Sequence, residues 1–182
     1  MRLYSIVKMF VLGMYVLFLA TIAIATLLSP WFNIWENALS DLGHAKRSPV
    51  APIFNLGLAT GGIMIIAFTI SVLRLEETIP KIIMSLIGYF LVLIGVFDEV
   101  YGMLHFIVSV LFFLCLLSFL IYYGISRKRI DPVILVAINI IVWYLHFIKD
   151  LPPGAAIPEL ISVFSFLPYY TNLLRETSIT TN

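Results

Sequence analysis

The sequence MLHFIVSVLFFLCLLSFLIYYGIS runs from Met103 to Ser126 without a single Asp, Glu, Lys or Arg. A helix rises about 1.5 Å per residue, so a stretch of this length crosses a hydrocarbon layer of about 30 Å. Lipid offers the backbone no hydrogen-bond partners, which leaves the helix as the stable conformation. The stretch therefore predicts a transmembrane helix.

The rest of the chain repeats this pattern. Of its 182 residues, 62% are hydrophobic and only 12% are charged, whereas soluble domains are about half apolar and a quarter charged. The apolar runs do not alternate as barrel strands would. We predict an all-α membrane bundle of six transmembrane helices as one domain over residues 1–174, followed by a short cytoplasmic tail, 175–182. The other five predicted spans are Tyr4–Leu28, Ala51–Leu73, Pro80–Phe97, Pro132–Ile148 and Ala155–Leu174.

Charge in the short loops predicts the orientation. With a cytoplasmic N-terminus, eight of the eleven Lys and Arg residues fall on the inner side: Arg2, Lys8, Arg74, Lys81, Arg127, Lys128, Arg129 and Arg175. We therefore expect a multi-pass protein of the cell membrane with both termini in the cytoplasm. The net charge of +1 gives no indication of a nucleic-acid partner.

The first outer loop contains a stripe of apolar side chains at helical spacing. Trp31, Trp35, Leu39 and Leu42 recur every three or four residues, and Gly43 is a plausible helix end. We predict a short interfacial helix with its tryptophans in the headgroup layer. It acts either as an anchor or as a lid over a cavity between the spans.

Small and polar residues inside the spans predict how the helices pack. Gly57 and Gly61 form a small-xxx-small pair, and Gly88 and Gly95 lie two turns apart, which permits close helix approach. Asn139 lies in the middle of a span and is expected to hydrogen-bond another helix or water.

All three histidines fall on the predicted outer side. His105 stands just inside a span, where an ionisable side chain usually faces the bundle interior or a wet cavity, and Ser109 follows one turn later. His44 and His146 each have an aspartate within one helical turn. Together with Asp41 or Asp98, the histidines have the chemistry of a zinc site, although no ligand-spacing motif such as HExxH is present.

Four sequence elements carry a family resemblance: Asn37–Gly43 (NALSDLG), Pro49, Ile53–Gly57 (IFNLG), and Gly95-Val96-Phe97 with His105 eight residues on. Together they resemble the DUF998 family of small multi-span membrane proteins from archaea and bacteria. Family members often have a proline after that phenylalanine, where this chain has Asp98. The resemblance implies the multi-span fold and points to Ser40, Asp41, Asn55 and His105, but implies no substrate.

Two function classes follow from these observations. The first is a non-enzymatic accessory protein, or one that binds a lipid or ligand, in contact with the bilayer and with a lipid or membrane-protein partner. The second is a membrane-embedded hydrolase or transferase, metal-dependent or not, acting on lipid. The lack of charge near the bilayer centre and of repeat symmetry disfavours a transporter.

The candidate polar site on the outer face comprises Ser40, Asp41, His44, Asn55, Asp98, His105 and His146. The sequence assigns none of them a catalytic role, and it identifies no cofactor.

Overall fold

The computed structural model describes residues 2–73 and 77–179, which form six α-helices, two short 3₁₀ helices and no strand. The bounds of the α-helices are α1 Arg2–Leu27, α2 Ala51–Val72, α3 Thr78–Val96, α4 Met103–Arg127, α5 Asp131–Lys149 and α6 Ala156–Ile179. The 3₁₀ helices, η1 Leu39–Gly43 and η2 Glu99–Tyr101, lie between α1 and α2 and between α3 and α4.

Among the described residues, four helices are long and apolar enough to cross a membrane: α2, α3, α4 and α5. In α1, the apolar segment Val16–Leu27 is shorter. The all-helical prediction is confirmed, and the apolar helices are those of a membrane protein. Six crossings remain a prediction, as does the orientation. Of the basic residues used for the orientation, Arg74 and the side chains of Arg2 and Lys8 lie outside the described residues.

Five helices form a closed ring. Neighbours pack in the order α1, α2, α3, α4, α6 and back to α1, while α5 packs outside the ring against α4 and α6. The connections after α2 are short, and Gly57 near the start of α2 lies against Thr21 near the end of α1, so successive helices are antiparallel. The helices α2, α4 and α6 therefore begin at one end of the bundle, which we call the Glu159 end. The opposite end, where α5 begins, we call the Arg129 end.

The tightest helix contact joins α2 and α3 through glycines. An added Cβ at Gly88 would lie 2.6 Å from the carbonyl oxygen of Gly62 and 2.7 Å from Ile66 Cγ1. Gly95 likewise approaches the backbone of Asn55, and Gly57 lies against Thr21 of α1. The predicted close approach at Gly57, Gly88 and Gly95 is confirmed. For Gly61 the prediction is wrong, because Gly61 lines a cavity and an added Cβ would meet only Leu91 Cδ2, at 3.8 Å.

The predicted hydrogen bond of Asn139 is confirmed too. Its side chain is fully buried, and Nδ2 donates to Ser165 Oγ on α6 at 3.1 Å and to the carbonyl of Leu135 at 2.8 Å. This amide ties α5 to the ring in the apolar interior, where an unpaired polar group is costly.

The first loop differs from its prediction. Only Leu39–Gly43 is helical, and Trp31 and Trp35 lie in turns with about half of each side chain exposed. Side-chain oxygens take the backbone N–H groups that a longer helix needs: Asn33 Oδ1 accepts from Trp35 N, and Asp41 Oδ2 accepts from Ala38 N at 2.9 Å. The stripe is therefore divided, with Leu39 and Leu42 buried and the tryptophans outside.

The end of α6 also differs from its prediction. The helix continues through Arg175 to Ile179, five residues beyond the predicted boundary at Leu174. Glu176 holds it to α4 by an ion pair with Arg127 at 2.8 Å and a hydrogen bond from Tyr123 at 3.1 Å. The start of the predicted tail is thus helix, and residues 180–182 lie outside the described residues.

Candidate functional site

A narrow cavity of about 110 Å³ lies inside the five-helix ring. Side chains of α1, α2, α3, α4 and α6 line it, and α5 contributes none. On α6 the lining runs from Glu159 to Tyr170, eleven residues apart, or roughly 16 Å along the axis. The cavity is therefore elongated, with its long dimension along the helices.

The walls are almost entirely aliphatic and aromatic. Apart from the tyrosine at its deep end, the polar side chains on the lining are Ser40, Ser109 and Glu159, and all three lie towards the Glu159 end. The described lining includes no lysine or arginine. The space thus combines an apolar tube with a polar, acidic end, a combination suited to amphiphilic ligands.

Glu159 joins α6 to the first loop. It lies in the first turn of α6, where the helix dipole favours a carboxylate, and its Oε2 accepts from the backbone N–H of Leu39 at 2.7 Å. The backbone of Gly154 and Ala156 adds two bonds to the carbonyls of Trp35 and Asn37, both 2.9 Å. These contacts hold η1 across the Glu159 end of the cavity.

Ser40 ties η1 to η2. Its hydroxyl donates to Glu99 Oε1 at 2.6 Å, and Glu99 lies near Asp41. Burial raises the pKa of Glu99 to about 7; the hydrogen bond from Ser40 opposes this rise, and the charge of Asp41 adds to it. Glu99 therefore binds or releases a proton near neutral pH.

This raised pKa predicts the pH dependence of stability. The folded state keeps the Glu99 proton up to about pH 7, while the unfolded chain loses it near 4.5. The stabilisation is fully present below 4.5 and is lost as the pH rises to about 7. We expect the melting temperature to fall over this interval, and to fall less in Glu99→Gln.

Melting curves between pH 4.5 and 8 check this expectation, with Glu36→Gln as the control because Glu36 is an exposed carboxylate in the first loop. Equal slopes for the wild type and Glu99→Gln would contradict it.

His105 joins α4 to the end of α3. It is buried, with 8% of its surface exposed, and its Nδ1 lies 2.7 Å from the carbonyl oxygen of Phe97. Its Nε2 lies 3.4 Å from Ser109 Oγ, and Ser109 lines the cavity. His105 therefore faces the bundle interior, as predicted for an ionisable residue in a span. It contacts Ser109, and Ser109 lines the cavity.

The remaining predicted residues do not share this cavity. Asp41 and His44 line a separate surface depression with Trp31, Asn37 and Arg47. Asp98 caps η2 by accepting from Val100 N at 2.8 Å. His146 Nδ1 lies 2.8 Å from the carbonyl of Pro152. Of the predicted residues, Ser40 thus lines the cavity, and His105 lies behind the lining residue Ser109.

Sequence comparison identifies the family. The model of the family described as "Protein of unknown function (DUF998)" matches residues 12–174, nearly the whole chain. The protein belongs to the DUF998 family. Among curated proteins and among solved structures, nothing matches the chain.

Several of the residues on which the DUF998 resemblance depends contact one another at the first loop. Asn55 Nδ2 donates to the carbonyl of Gly43 at 2.8 Å, and a side chain at Gly43 would collide with Asn55. Asp41 accepts from Asn37 Nδ2 at 3.1 Å, which braces the start of η1. In this DUF998 protein these residues position the cover of the cavity.

Two acidic residues near the cavity of this DUF998 protein, Glu99 and Glu159, were not among the candidate site residues predicted from the sequence. In the sequence, Glu159 stands in the first turn of a predicted helix, where a carboxylate is common. Glu99 is one of several acidic residues on the predicted outer side. The positions of these two residues in the sequence do not show that η1 folds back over the ring. The contacts of Leu39 with Glu159 and of Ser40 with Glu99 show it. Within the described residues, no group of three or more His, Cys, Asp or Glu side chains is arranged to hold a metal ion.

Proposed function

We propose that this protein binds a single-chain amphiphile of the membrane, with the chain in the ring cavity and the polar head at the Glu159 end. The observation that carries the proposal is the cavity itself, an elongated apolar tube whose polar lining is concentrated at the end covered by η1. An acyl or isoprenoid chain matches the walls, and a small head group matches the polar end.

The size of the cavity limits the ligand. Its volume of about 110 Å³ is comparable to that of a ~150 Å³ apolar protein cavity that binds benzene. The space admits part of one chain and has no room for a two-chain phospholipid. A chain moving from bilayer to cavity gains little hydrophobic free energy, since lipid tails are equally apolar. Selectivity must therefore come from the head.

The polar end favours heads that donate hydrogen bonds. Glu159 and Ser40 lie on the lining, Glu99 lies behind Ser40, and Glu159 Oε1 has no hydrogen-bond donor among the described residues. An anionic head would meet carboxylates without a compensating Lys or Arg on the lining. We propose a head that is uncharged or cationic, such as a hydroxyl or an amine.

We also propose the cellular setting predicted from the sequence: a multi-pass protein of the cell membrane whose termini are cytoplasmic. The apolar helices support membrane insertion, and the distribution of basic residues supports the orientation. The Glu159 end then faces outward, so the head of the ligand lies at the outer surface.

Filling the cavity tests the binding proposal. Gly61 lines it, and an added Cβ would meet only Leu91 Cδ2, at 3.8 Å. We expect Gly61→Leu to fold and to bind dodecylamine in nanodiscs at least about tenfold more weakly, since its side chain occupies the path of the chain. Equilibrium dialysis with radiolabelled ligand gives the affinity.

Gly13→Leu is the matched control, because it adds the same side chain at a position where no described atom outside the adjacent helix backbone lies within 4 Å. Wild-type affinity in a folded Gly61→Leu protein would show that the chain does not occupy this cavity.

A further inference from the structure

The hydroxyl of Ser109 differs from several other helix hydroxyls of this bundle. Ser109 Oγ lies beside an imidazole nitrogen, and Ser109 lines the cavity. Four others instead donate to the carbonyl oxygen four residues earlier: Ser71, Ser118, Ser162 and Thr171. Such a back-bond is the ordinary way to satisfy a serine in a helix, so the placement of Ser109 needs another account.

The contacts of His105 determine which nitrogen carries its proton. The carbonyl of Phe97 can only accept, so a neutral imidazole must carry its hydrogen on Nδ1. Nε2 is then a free lone pair directed at Ser109 Oγ, 3.4 Å away. The arrangement places a hydroxyl beside a basic ring nitrogen, and the Phe97 carbonyl orients that ring, which are the parts that nucleophilic catalysis requires.

We propose that Ser109 and His105 are a nucleophile and general base that cleave the acyl ester of an uncharged single-chain lipid, such as a monoacylglycerol. This inference rests on the proposed binding function. The acyl chain lies in the apolar tube, and the hydroxyls of the head donate to the carboxylates near Ser40 and Glu159. The ester carbonyl then lies between chain and head, at the level of Ser109 on the lining.

The reaction balances without a further cofactor. Ser109 Oγ bonds to the ester carbonyl carbon while its proton passes to His105 Nε2. The bond from that carbon to the alcohol oxygen breaks, and Nε2 returns the proton to the leaving oxygen. Water then attacks the acyl-serine, giving Nε2 a proton that returns to Ser109 Oγ, and a fatty acid leaves. The distance of 3.4 Å must shorten to about 2.6–3.2 Å in the substrate complex.

Covalent labelling tests the dyad independently of hydrolysis. We would treat the full-length protein, in nanodiscs of ether-linked phosphocholine, with an alkyl fluorophosphonate and map the modified peptide by mass spectrometry. The expected result is phosphonylation at Ser109, competed by monoacylglycerol and lost in Ser109→Ala. Monoacylglycerol hydrolysis should fall by about 10²–10⁴-fold in His105→Asn.

Ser118→Ala is the matched control, because Ser118 lies on the same helix and only bonds back to Leu114. It should label and hydrolyse as the wild type does. If monoacylglycerol binds but Ser109 is neither labelled nor required for hydrolysis, the dyad is wrong and the binding function stands. If Gly61→Leu and wild type also bind monoacylglycerol equally, both proposals fail.

Discussion

Gly62→Ala is expected to destabilise the bundle by about 2–3 kcal/mol, although alanine is the better helix former. The new methyl group would collide with the carbonyl oxygen of Gly88 and lie 2.9 Å from the backbone nitrogen of Val92. Backbone atoms of a packed helix cannot move aside singly, so α2 and α3 must separate. Their contact is the most extensive between any two helices of this chain.

Gly61→Ala supplies a neighbouring comparison. Its methyl group would face the cavity, with Leu91 Cδ2 at 3.8 Å, so we expect no loss of stability and a gain of up to about 1 kcal/mol from helix propensity. Unfolding in mixed micelles, followed by circular dichroism, measures both variants. Equal stability of the two would contradict the α2–α3 contact described here.

Glu159→Gln is expected to change which head group the cavity accepts. An ammonium about 4 Å from a carboxylate gains about 4 kcal/mol at an effective dielectric of 20, and a carboxylate head loses a similar amount. In alkaline buffer, where the Glu159 carboxyl is ionised, the Glu159→Gln change should therefore reduce the preference for dodecylamine over dodecanoate by about two orders of magnitude or more.

The two ligands share one alkyl chain, so their affinity ratio isolates the head. Glutamine keeps an oxygen for the Leu39 N–H bond, which preserves the contact that places η1. Glu36→Gln, on the exposed part of the first loop, should leave the ratio unchanged. An unaltered ratio in Glu159→Gln would show that the head does not lie at this carboxylate.

Local composition accounts for how well the helices could be predicted. Two helices start at the predicted residue, α2 at Ala51 and α4 at Met103. Pro52 and Gly102 mark these starts, because each interrupts regular structure before it. The first loop was harder, since the spacing of Trp31, Trp35 and Leu39 is equally compatible with a helix and with turns braced by Asn33 and Asp41. Side-chain hydrogen bonds settled the choice, and periodicity does not report them.

The candidate site was predictable only in part. His105 was identified because an ionisable residue just inside a span is unusual. Glu99 was not selected, since its carboxyl acquires a raised pKa only when η1 covers it and brings Asp41 near. His146 was selected on sequence grounds, yet its imidazole bonds to the Pro152 carbonyl, and it does not line the cavity.

The sequence by itself determined that this chain is a helical membrane protein of the DUF998 family, because hydropathy and span length are properties of consecutive residues. Only the tertiary structure decided that five helices enclose a tube, that α5 stands outside it, and that Ser40, Ser109 and Glu159 share its end. These three residues are separated by 50 or more positions in the chain. Their proximity depends on helix packing and on how η1 folds over the ring, which no local pattern encodes.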